Sequence, residues 1–112
     1  MIRLLQGQIH SKEDRTIILF VNGVGYHVFV PLSILSNEEI DIMLFIHTHV
    51  REDALTLFGF RTKNELNFFE LLLTINGIGP KMAMDIMNQP IDTIRNAIFT
   101  GNIPALTKIP GI

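Results

Sequence analysis

Two glycines that stand between two apolar helical patterns constrain the fold of this chain more than any other feature. Gly77 and Gly79 are one residue apart, and Pro80 and Lys81 follow directly. Glycine has no Cβ, so both positions can take a positive φ and can let another backbone approach closely. Proline has a fixed φ and no N–H, which suits the first position of a new helix. The sequence therefore predicts a tight hairpin between two helices, with the second helix beginning near Pro80.

The predicted hairpin has the features of a phosphate-binding site. The first N–H groups of a helix have no partner within it, and the aligned peptide dipoles leave partial positive charge at that end. Lys81 adds a full positive charge, and Ala83 is small enough for close helix packing. This pattern is typical of a helix-hairpin-helix motif, which binds the nucleic-acid backbone without reading bases. We expect Gly77, Ile78 and Gly79 to offer N–H groups to phosphate, while Lys81 supplies charge.

A second copy of the pattern closes the sequence. Residues 105–112 repeat the Leu-Thr and Gly-Ile pieces of the first hairpin with a small difference in register. A lone Gly-x-Gly would also fit an ordinary turn in a helical domain, and the repeat favours a tandem motif instead. Lys108 and Gly111 are the expected backbone contacts of this second hairpin. The sequence ends inside the motif at Ile112, so we interpret it as a fragment or as a trimmed gene product.

The composition excludes several classes of protein. A chain of 112 residues suits one domain or two very small ones, and its hydrophobic content of 47% is high enough to supply a subunit interface as well as a core. It has no cysteine, which excludes disulfides, thiolate metal sites and a cysteine nucleophile. No apolar run reaches the roughly 18 residues that span a bilayer, and the N-terminus lacks a signal-peptide pattern. We therefore expect a cytoplasmic protein with no membrane partner.

The net charge does not favour general binding to nucleic acid. The formal charge of the chain is −2, whereas an extended DNA footprint would be basic. Any contact with DNA must therefore be local. Lys81 and Lys108 stand at the two hairpins, and carboxylates cluster elsewhere, for example at Glu52 and Asp53. This segregation predicts one surface that attracts phosphate and another that repels it.

The first sixty residues are typical of a small β-barrel. Asn22-Gly23 is a strong hairpin signal, and it joins two strand-like runs, Thr16–Val21 and Val24–Val30. Two further strands are predicted over Ile40–Val50 and Ala54–Phe60. Together with a first strand that contains Leu4, Leu5 and Gln6, they make five strands in an all-antiparallel run. Such a run suits a small closed barrel, for which the OB-fold is the commonest candidate.

The pattern becomes helical after residue 62. Apolar residues at spacings of three and four predict a helix over Asn64–Thr74, with Thr62 as its N-cap. A further helix is predicted from Asp92 to Thr100. The sequence therefore predicts an α+β chain of two small domains: a five-stranded OB-fold barrel over residues 1–62 and an all-α tandem helix-hairpin-helix domain over residues 63–112.

Several segments, taken together and in this order, resemble the RuvA family over essentially the whole chain. They are Met1-Ile2 with Leu4 and Gly7, Val21–Tyr26 with Val30-Pro31, Val50–Ala54 with Leu57 and Gly59-Phe60, Asn76–Ala83, and Ala105–Ile112. The resemblance implies the two N-terminal domains of a protein that binds four-way Holliday junctions and partners the RuvB motor ATPase in branch migration, in recombination and repair. It also adds Asn76 to the expected contacts with the DNA backbone.

The resemblance further implies an assembly and a role for an acidic loop. Members of the family form homotetramers, sometimes doubled to octamers, that hold an open junction on a concave face. Glu52 and Asp53 match the acidic pin of the family, which repels phosphates at the crossover and weakens binding of plain duplex. The motor binds a third, C-terminal domain that this chain lacks. Because the sequence contains no Walker motif, we expect no ATP hydrolysis, no catalytic residue and no cofactor.

Three alternatives remain open from the residues alone. His47 and His49 alternate onto one strand face and could hold a metal ion, although no third ligand stands nearby in the sequence. Glu52 and Asp53 could be a metal-binding carboxylate pair for DNA cleavage, although nothing else supplies a further ligand, base or nucleophile. The chain could also be a non-catalytic oligomerisation module with OB and helical parts, whose DNA binding is weak or lost.

Overall fold

The computed structural model describes residues 1–90 and Ile94. The chain divides into two compact units, Met1–Asn67 and Phe68–Ile112. All five strands belong to the first unit, and the described part of the second unit is helical apart from its turns.

Five strands form a closed barrel in the first unit. The strands are β1 (Leu4–Glu13), β2 (Thr16–Val21), β3 (Val24–Phe29), β4 (Asp41–Val50) and β5 (Leu55–Phe60). Their order around the barrel is β1-β2-β3-β5-β4, and β4 pairs with β1 to close the ring. A short helix, α1 (Leu32–Leu35), lies between β3 and β4 in the chain. The predicted barrel is confirmed, and the four predicted strand ranges are displaced by no more than one residue at either end.

One pair of neighbouring strands is parallel, so the expectation of an all-antiparallel sheet is wrong. In β3 and β5, Val28 lies opposite Leu57 and Phe29 lies opposite Phe58, with both strands running in the same direction. The other four pairs are antiparallel. Strand direction reverses at every antiparallel pair, so a closed ring with an odd number of strands needs at least one parallel pair. Closure of five strands therefore made a parallel pair obligatory.

The β2–β3 hairpin turns at Asn22 and Gly23, as predicted. Asn22 has a φ of 48° and Gly23 has a φ of 86°. Two consecutive residues with positive φ are characteristic of a type I′ turn, whose twist matches that of the flanking strands. The strands then pair from Val21 opposite Val24 to Thr16 opposite Phe29. The turn thus fixes the register of this part of the barrel.

Alternate residues of the strands fill the interior of the barrel. In β4, Ile42, Leu44 and Ile46 are buried, whereas Met43 between them is 44% exposed. This period of two is the pattern on which the strand was predicted. The buried core is completed by residues from the rest of the first unit: Leu5, Ile17, Leu19, Val28, Val30, Ile34 and Leu57.

Two longer helices follow the barrel in the chain, α2 (Lys63–Leu73) and α3 (Pro80–Met87). A reciprocal capping box begins α2, because the Glu65 N–H donates to Thr62 Oγ1 at 3.1 Å and the Thr62 N–H donates to Glu65 Oε1 at 3.2 Å. Thr62 is therefore the N-cap, as predicted. The first residue of α3 is Pro80, which confirms the predicted start of that helix.

Some predictions for the helical half lie outside the described residues. The helix expected from Asp92 to Thr100 falls there except for Ile94, and so does the second hairpin over residues 105–112. The domain boundary after residue 62 stays a prediction. Within residues 1–90 and Ile94, no helix has the length and apolar character needed to cross a bilayer.

Candidate nucleic-acid interface

The segment between α2 and α3 is a tight hairpin held by backbone hydrogen bonds. The end of α2 tightens, because the Thr74 N–H donates to the Leu71 carbonyl oxygen at 3.1 Å. The Ile78 N–H then donates to the Ile75 carbonyl oxygen, also at 3.1 Å. The chain therefore reverses within the four residues from Ile75 to Ile78.

Gly77 has the backbone conformation that the sequence predicts. Its φ is 91°, and it is the third residue of the turn that the Ile78 N–H closes. A positive φ at the third position of such a turn is typical of type II geometry, which requires glycine or asparagine there. Asn76 precedes it in the turn, and both residues are exposed.

Gly79 does not use the positive φ that the sequence permits at both glycines. Its backbone is extended, with φ −95° and ψ 177°, and it is the N-cap of α3. The Gly79 carbonyl oxygen accepts the N–H of Ala83 at 2.9 Å. The physical reason is that an N-cap residue takes β-region angles while its carbonyl already accepts the first helical hydrogen bond. Of these two glycines, Gly77 uses the left-handed region and Gly79 does not.

Both glycines border open space. A Cβ added to Gly77 or to Gly79 would have no other heavy atom within 4 Å. Packing against described residues therefore does not explain why a side chain is missing at either position. The lack of side chains leaves room for a ligand to approach the backbone.

The first turn of α3 presents N–H groups that lack a backbone acceptor. Within residues 1–90, no such acceptor is found for the N–H groups of Gly79, Lys81 and Met82. The Lys81 side chain is exposed, and the first turn of α3 contains no acidic residue. The helix dipole adds partial positive charge to the same end. This end of α3 is therefore suited to bind an anion such as phosphate.

Ile78 supports the hairpin from inside. Its side chain is 5% exposed, and its N–H is already used in the bond to Ile75. Ile78 therefore fixes the turn, and the N–H groups that remain for a ligand belong to the residues around it. Sequence reasoning missed Met82 as one of these donors, although the predicted helix start at Pro80 implies it. Lys108 and Gly111 lie outside the described residues.

Glu52 and Asp53 lie in the tight loop between β4 and β5. The Arg51 N–H donates to the Ala54 carbonyl oxygen at 2.8 Å, which leaves the two acidic residues at the tip. Both are exposed, and neither carboxylate forms an ion pair with another described residue. Two neighbouring unpaired carboxylates make this tip a site of concentrated negative charge.

Arg51, next to the acidic tip, bonds back onto β4. Its Nε–H donates to His49 Nε2 at 3.3 Å. The His49 ring lies beside that of His47, with the ring centroids 6.1 Å apart. Loss of solvation, the Arg51 guanidinium and His47 together lower the pKa of His49 below its ordinary value. His49 is therefore neutral near pH 7, which is the form that can accept a hydrogen bond at Nε2.

The two histidines share one strand face, as their spacing predicts. Among the residues that the structure describes, no three histidine, aspartate or glutamate side chains are grouped closely enough to hold a metal ion. The hydrogen bond between His49 and Arg51 was missed at the sequence level. The signal was present, because residues two apart on a strand point to the same side and Arg51 comes directly after the last residue of β4.

Known proteins resemble this chain in both halves. Residues 1–59 match the family model described as the RuvA N terminal domain, and residues 69–112 match the model described as the SAM-like helix-hairpin-helix tandem. A curated relative from Geobacter sulfurreducens, the Holliday junction branch migration complex subunit RuvA, is 50% identical over 100% of this chain and 58% of its own length. Relatives of the same name from Geobacter metallireducens and Syntrophotalea carbinolica are 49% and 46% identical over the same shares. The chain thus spans 58% of the length of these relatives.

Proposed function

Because the chain belongs to the RuvA N-terminal domain family, we propose that it is a structure-selective DNA-binding scaffold for Holliday junctions. In this role it grips a four-way junction and holds it open for branch migration, and it thereby acts in homologous recombination and DNA repair. The observation that carries the proposal is the start of α3, where N–H groups without backbone acceptors, an exposed Lys81 and two uncovered glycines occur together.

The proposed contacts are made with the DNA backbone. The N–H groups of Gly79, Lys81 and Met82 donate to phosphate oxygens, and the Lys81 ammonium group adds charge. Gly77 lets the sugar-phosphate chain approach, and the exposed Asn76 side chain contacts the same strand. Ile78 holds the turn in place. Backbone contacts carry no sequence information directly, so recognition depends on the shape of the junction.

The acidic loop supplies selectivity in this proposal. Glu52 and Asp53 repel phosphates that come close to the loop, because like charges interact unfavourably at short range. A continuous duplex would place its phosphates against the tip, whereas the open centre of a junction leaves space for it. The loop therefore weakens binding to plain duplex and helps to separate strands at the crossover. The exposure of both carboxylates supports this role.

A homotetramer, or an octamer of two tetramers, would bring several copies of the hairpin to one junction. Exposed apolar side chains on the outer face of the barrel support self-association: Leu4 is 51%, Phe20 46% and Met43 44% exposed. Gln6 on β1 lies opposite Met43, and Gln8 lies opposite Phe20, so these side chains share a continuous surface. Sedimentation velocity tests this assembly, and Met43→Asp is expected to lower the mass of the particle.

The remaining functional assignments follow from the family. We propose that the chain is a non-catalytic subunit that hydrolyses no ATP and needs no cofactor. A RuvB-type motor ATPase supplies the energy, and it engages a C-terminal domain that lies beyond the part of the relatives matched here. The chain acts in the cytoplasm. Its two proposed domains are residues 1–62 and residues 63–112.

The test compares a synthetic four-way junction with a duplex of equal length, using fluorescence anisotropy at several salt concentrations. The expected result is junction-selective binding that weakens steeply with added salt, because binding to phosphate releases counterions. Lys81→Glu is expected to weaken binding to both DNAs and to lower the salt slope by about one.

Lys63→Glu is the matched control, since Lys63 is an exposed lysine in the first turn of α2 and makes no proposed contact. Its junction affinity should stay close to that of the parent. Equal affinity of the parent for junction and duplex would refute the proposed selectivity. Binding that does not change with salt, or that survives Lys81→Glu, would exclude the hairpin as the DNA contact.

A further inference from the structure

An arginine stands directly before two carboxylates in the β4–β5 loop. An arginine in this position would ordinarily neutralise part of the negative charge of the loop. Arg51, Glu52 and Asp53 are consecutive and all exposed. An arginine in this position is able to form charge-assisted hydrogen bonds with a neighbouring carboxylate. Neither carboxylate is paired with a described residue, and the Arg51 Nε–H is donated to His49 Nε2 instead, at 3.3 Å. The guanidinium is therefore directed away from the acidic tip.

Strand geometry explains how His49 reaches Arg51. Side chains two residues apart on a strand point to the same side, and Arg51 follows directly after the last residue of β4, so its side chain can return to His49 on the outer face of that strand. The Arg51 backbone is held in the loop by its N–H bond to the Ala54 carbonyl oxygen at 2.8 Å. His47 continues the same row, with its ring centroid 6.1 Å from that of His49. The histidine is thus fixed in the sheet, whereas the arginine side chain is exposed and would otherwise be free to turn.

We propose that His49 is a positioning residue of the acidic loop, which holds the Arg51 guanidinium along β4 and so keeps the negative charge of Glu52 and Asp53 from being neutralised. This inference rests on the proposed function, because it names what sets the strength of the acidic loop in selecting junction over duplex. Without the histidine acceptor, Arg51 turns to the carboxylates, and the loop repels phosphate less.

The arrangement depends on the protonation state of His49. Nε2 accepts a hydrogen bond only when the ring is neutral and carries its hydrogen on Nδ1. A protonated ring donates from both nitrogens, releases the Arg51 Nε–H and adds a positive charge beside the loop. Acidification is therefore expected to weaken the selection against duplex.

Among residues 1–90, the ionisable groups near His49 come from its own strand, the adjoining loop and the neighbouring segments. On β4 this group is His47, and in the adjoining loop they are Arg51, Glu52 and Asp53. β5 contributes no ionisable side chain. The segment before β1 runs beside β4, through bonds from the Ile46 N–H to the Arg3 carbonyl oxygen at 2.8 Å and from Thr48 Oγ1 to the Ile2 carbonyl oxygen at 2.7 Å. It contributes Arg3 and the N-terminal ammonium group, and β3 contributes His27 on the far side of β5.

Four variants test the proposal through the ratio of duplex Kd to junction Kd. His49→Val removes the acceptor and is expected to lower the ratio about two- to fivefold, the range of an exposed ion pair. Adding Arg51→Gln to His49→Val removes the guanidinium and is expected to restore the ratio. His49→Gln keeps an acceptor and should keep the parent ratio. His27→Val is the matched control on another strand, and it should not change the ratio.

The pH dependence separates positioning from simple packing. Between about pH 8 and about pH 5.5 the ratio of the parent is expected to fall, because histidine becomes protonated in this range. In His49→Gln, which does not titrate at this position, the fall is expected to be smaller. An unchanged ratio in His49→Val, or no recovery in the double variant, would overturn the proposal.

A measurement without DNA keeps this inference separate from the proposed function. The NMR signal of the Arg51 Nε–H in the free chain is expected to shift in His49→Val and to stay in place in His27→Val. An unshifted signal would overturn the positioning role whatever the protein binds. A shift in His49→Val, combined with no junction preference in the parent protein, would instead refute the proposed function.

Discussion

A Cβ placed on Gly7 would stand 2.3 Å from the carbonyl oxygen of Phe20. Gly7 lies in β1 and Phe20 in the neighbouring β2, so two backbones approach here more closely than any side chain permits. Gly7→Ala is therefore expected to destabilise the barrel by roughly 1–3 kcal/mol, because the strands must shift to admit the methyl group. Urea unfolding followed by circular dichroism measures the change. Gln8→Ala, at an exposed position of the same strand, is the control. If the two variants had the same urea midpoint, the prediction would be contradicted.

Gly79→Ala is expected to separate DNA binding from stability. Alanine fits the extended backbone of Gly79, and it costs less than about 1 kcal/mol as a poorer N-cap. Its methyl group, however, enters the open space at the start of α3, so junction affinity should fall several-fold. Thermal unfolding and the junction Kd are measured on the same sample.

Gly77→Ala is the comparison for that experiment, because the two positions differ in φ. At a φ of 91° an alanine is strained by about 1–2 kcal/mol, so this variant should lose stability as well as affinity. Parent-like DNA binding by Gly79→Ala would mean that the DNA backbone does not approach the helix start.

Thr62→Ala is expected to lower stability by about 1 kcal/mol, because it removes the side-chain oxygen that accepts the Glu65 N–H. Thr62→Ser keeps that oxygen and should be close to the parent. Chemical denaturation of the two variants checks the difference. Equal loss in both would mean that the threonine methyl group, rather than the cap, stabilises the helix start.

The lowered pKa of His49 predicts how stability depends on pH. In the unfolded chain this histidine has its ordinary pKa of 6.5, whereas in the folded chain its pKa is lower. The full contribution to stability is therefore present above pH 6.5 and is lost as the pH falls through the lowered pKa of the folded state. Relative to His49→Gln, the parent should lose stability on acidification. Parallel pH profiles for the two proteins would contradict this expectation.

Most of the barrel could be predicted because its signals are local. Asn22 and Gly23 specify their own turn, and the alternation of β4 is visible within one segment. The β3–β5 pairing depends on the closure of the whole ring, so it could not be predicted from any single segment of the sequence. The requirement for glycine at position 7 likewise depends on a residue in the neighbouring strand.

The candidate site likewise has features that local sequence predicts and features that it does not. Gly77 and Pro80 were assigned correctly, because a turn and a helix start are decided by adjacent residues. The extended conformation of Gly79 and the engaged N–H of Ile78 depend on which residue becomes the cap and which closes the turn. The spacing of His49 and Arg51 places them on one face, but it does not decide whether the arginine bonds to the histidine or to the carboxylates. The roles of Lys108 and Gly111 stay predictions.

The parallel pairing of β3 and β5 also bears on the order in which the barrel assembles. Consecutive strands form the β1–β2, β2–β3 and β4–β5 hairpins, whereas the β3–β5 pairing must wait for a long loop to close. It is also short, with Val28–Leu57 and Phe29–Phe58 as its paired positions. We expect the amide hydrogens between β3 and β5 to exchange with solvent faster than those between β1 and β2. Equally slow exchange in the two strand pairs would mean that the ring opens only by global unfolding. Faster exchange between β3 and β5 would mean that the barrel opens locally at its parallel pair.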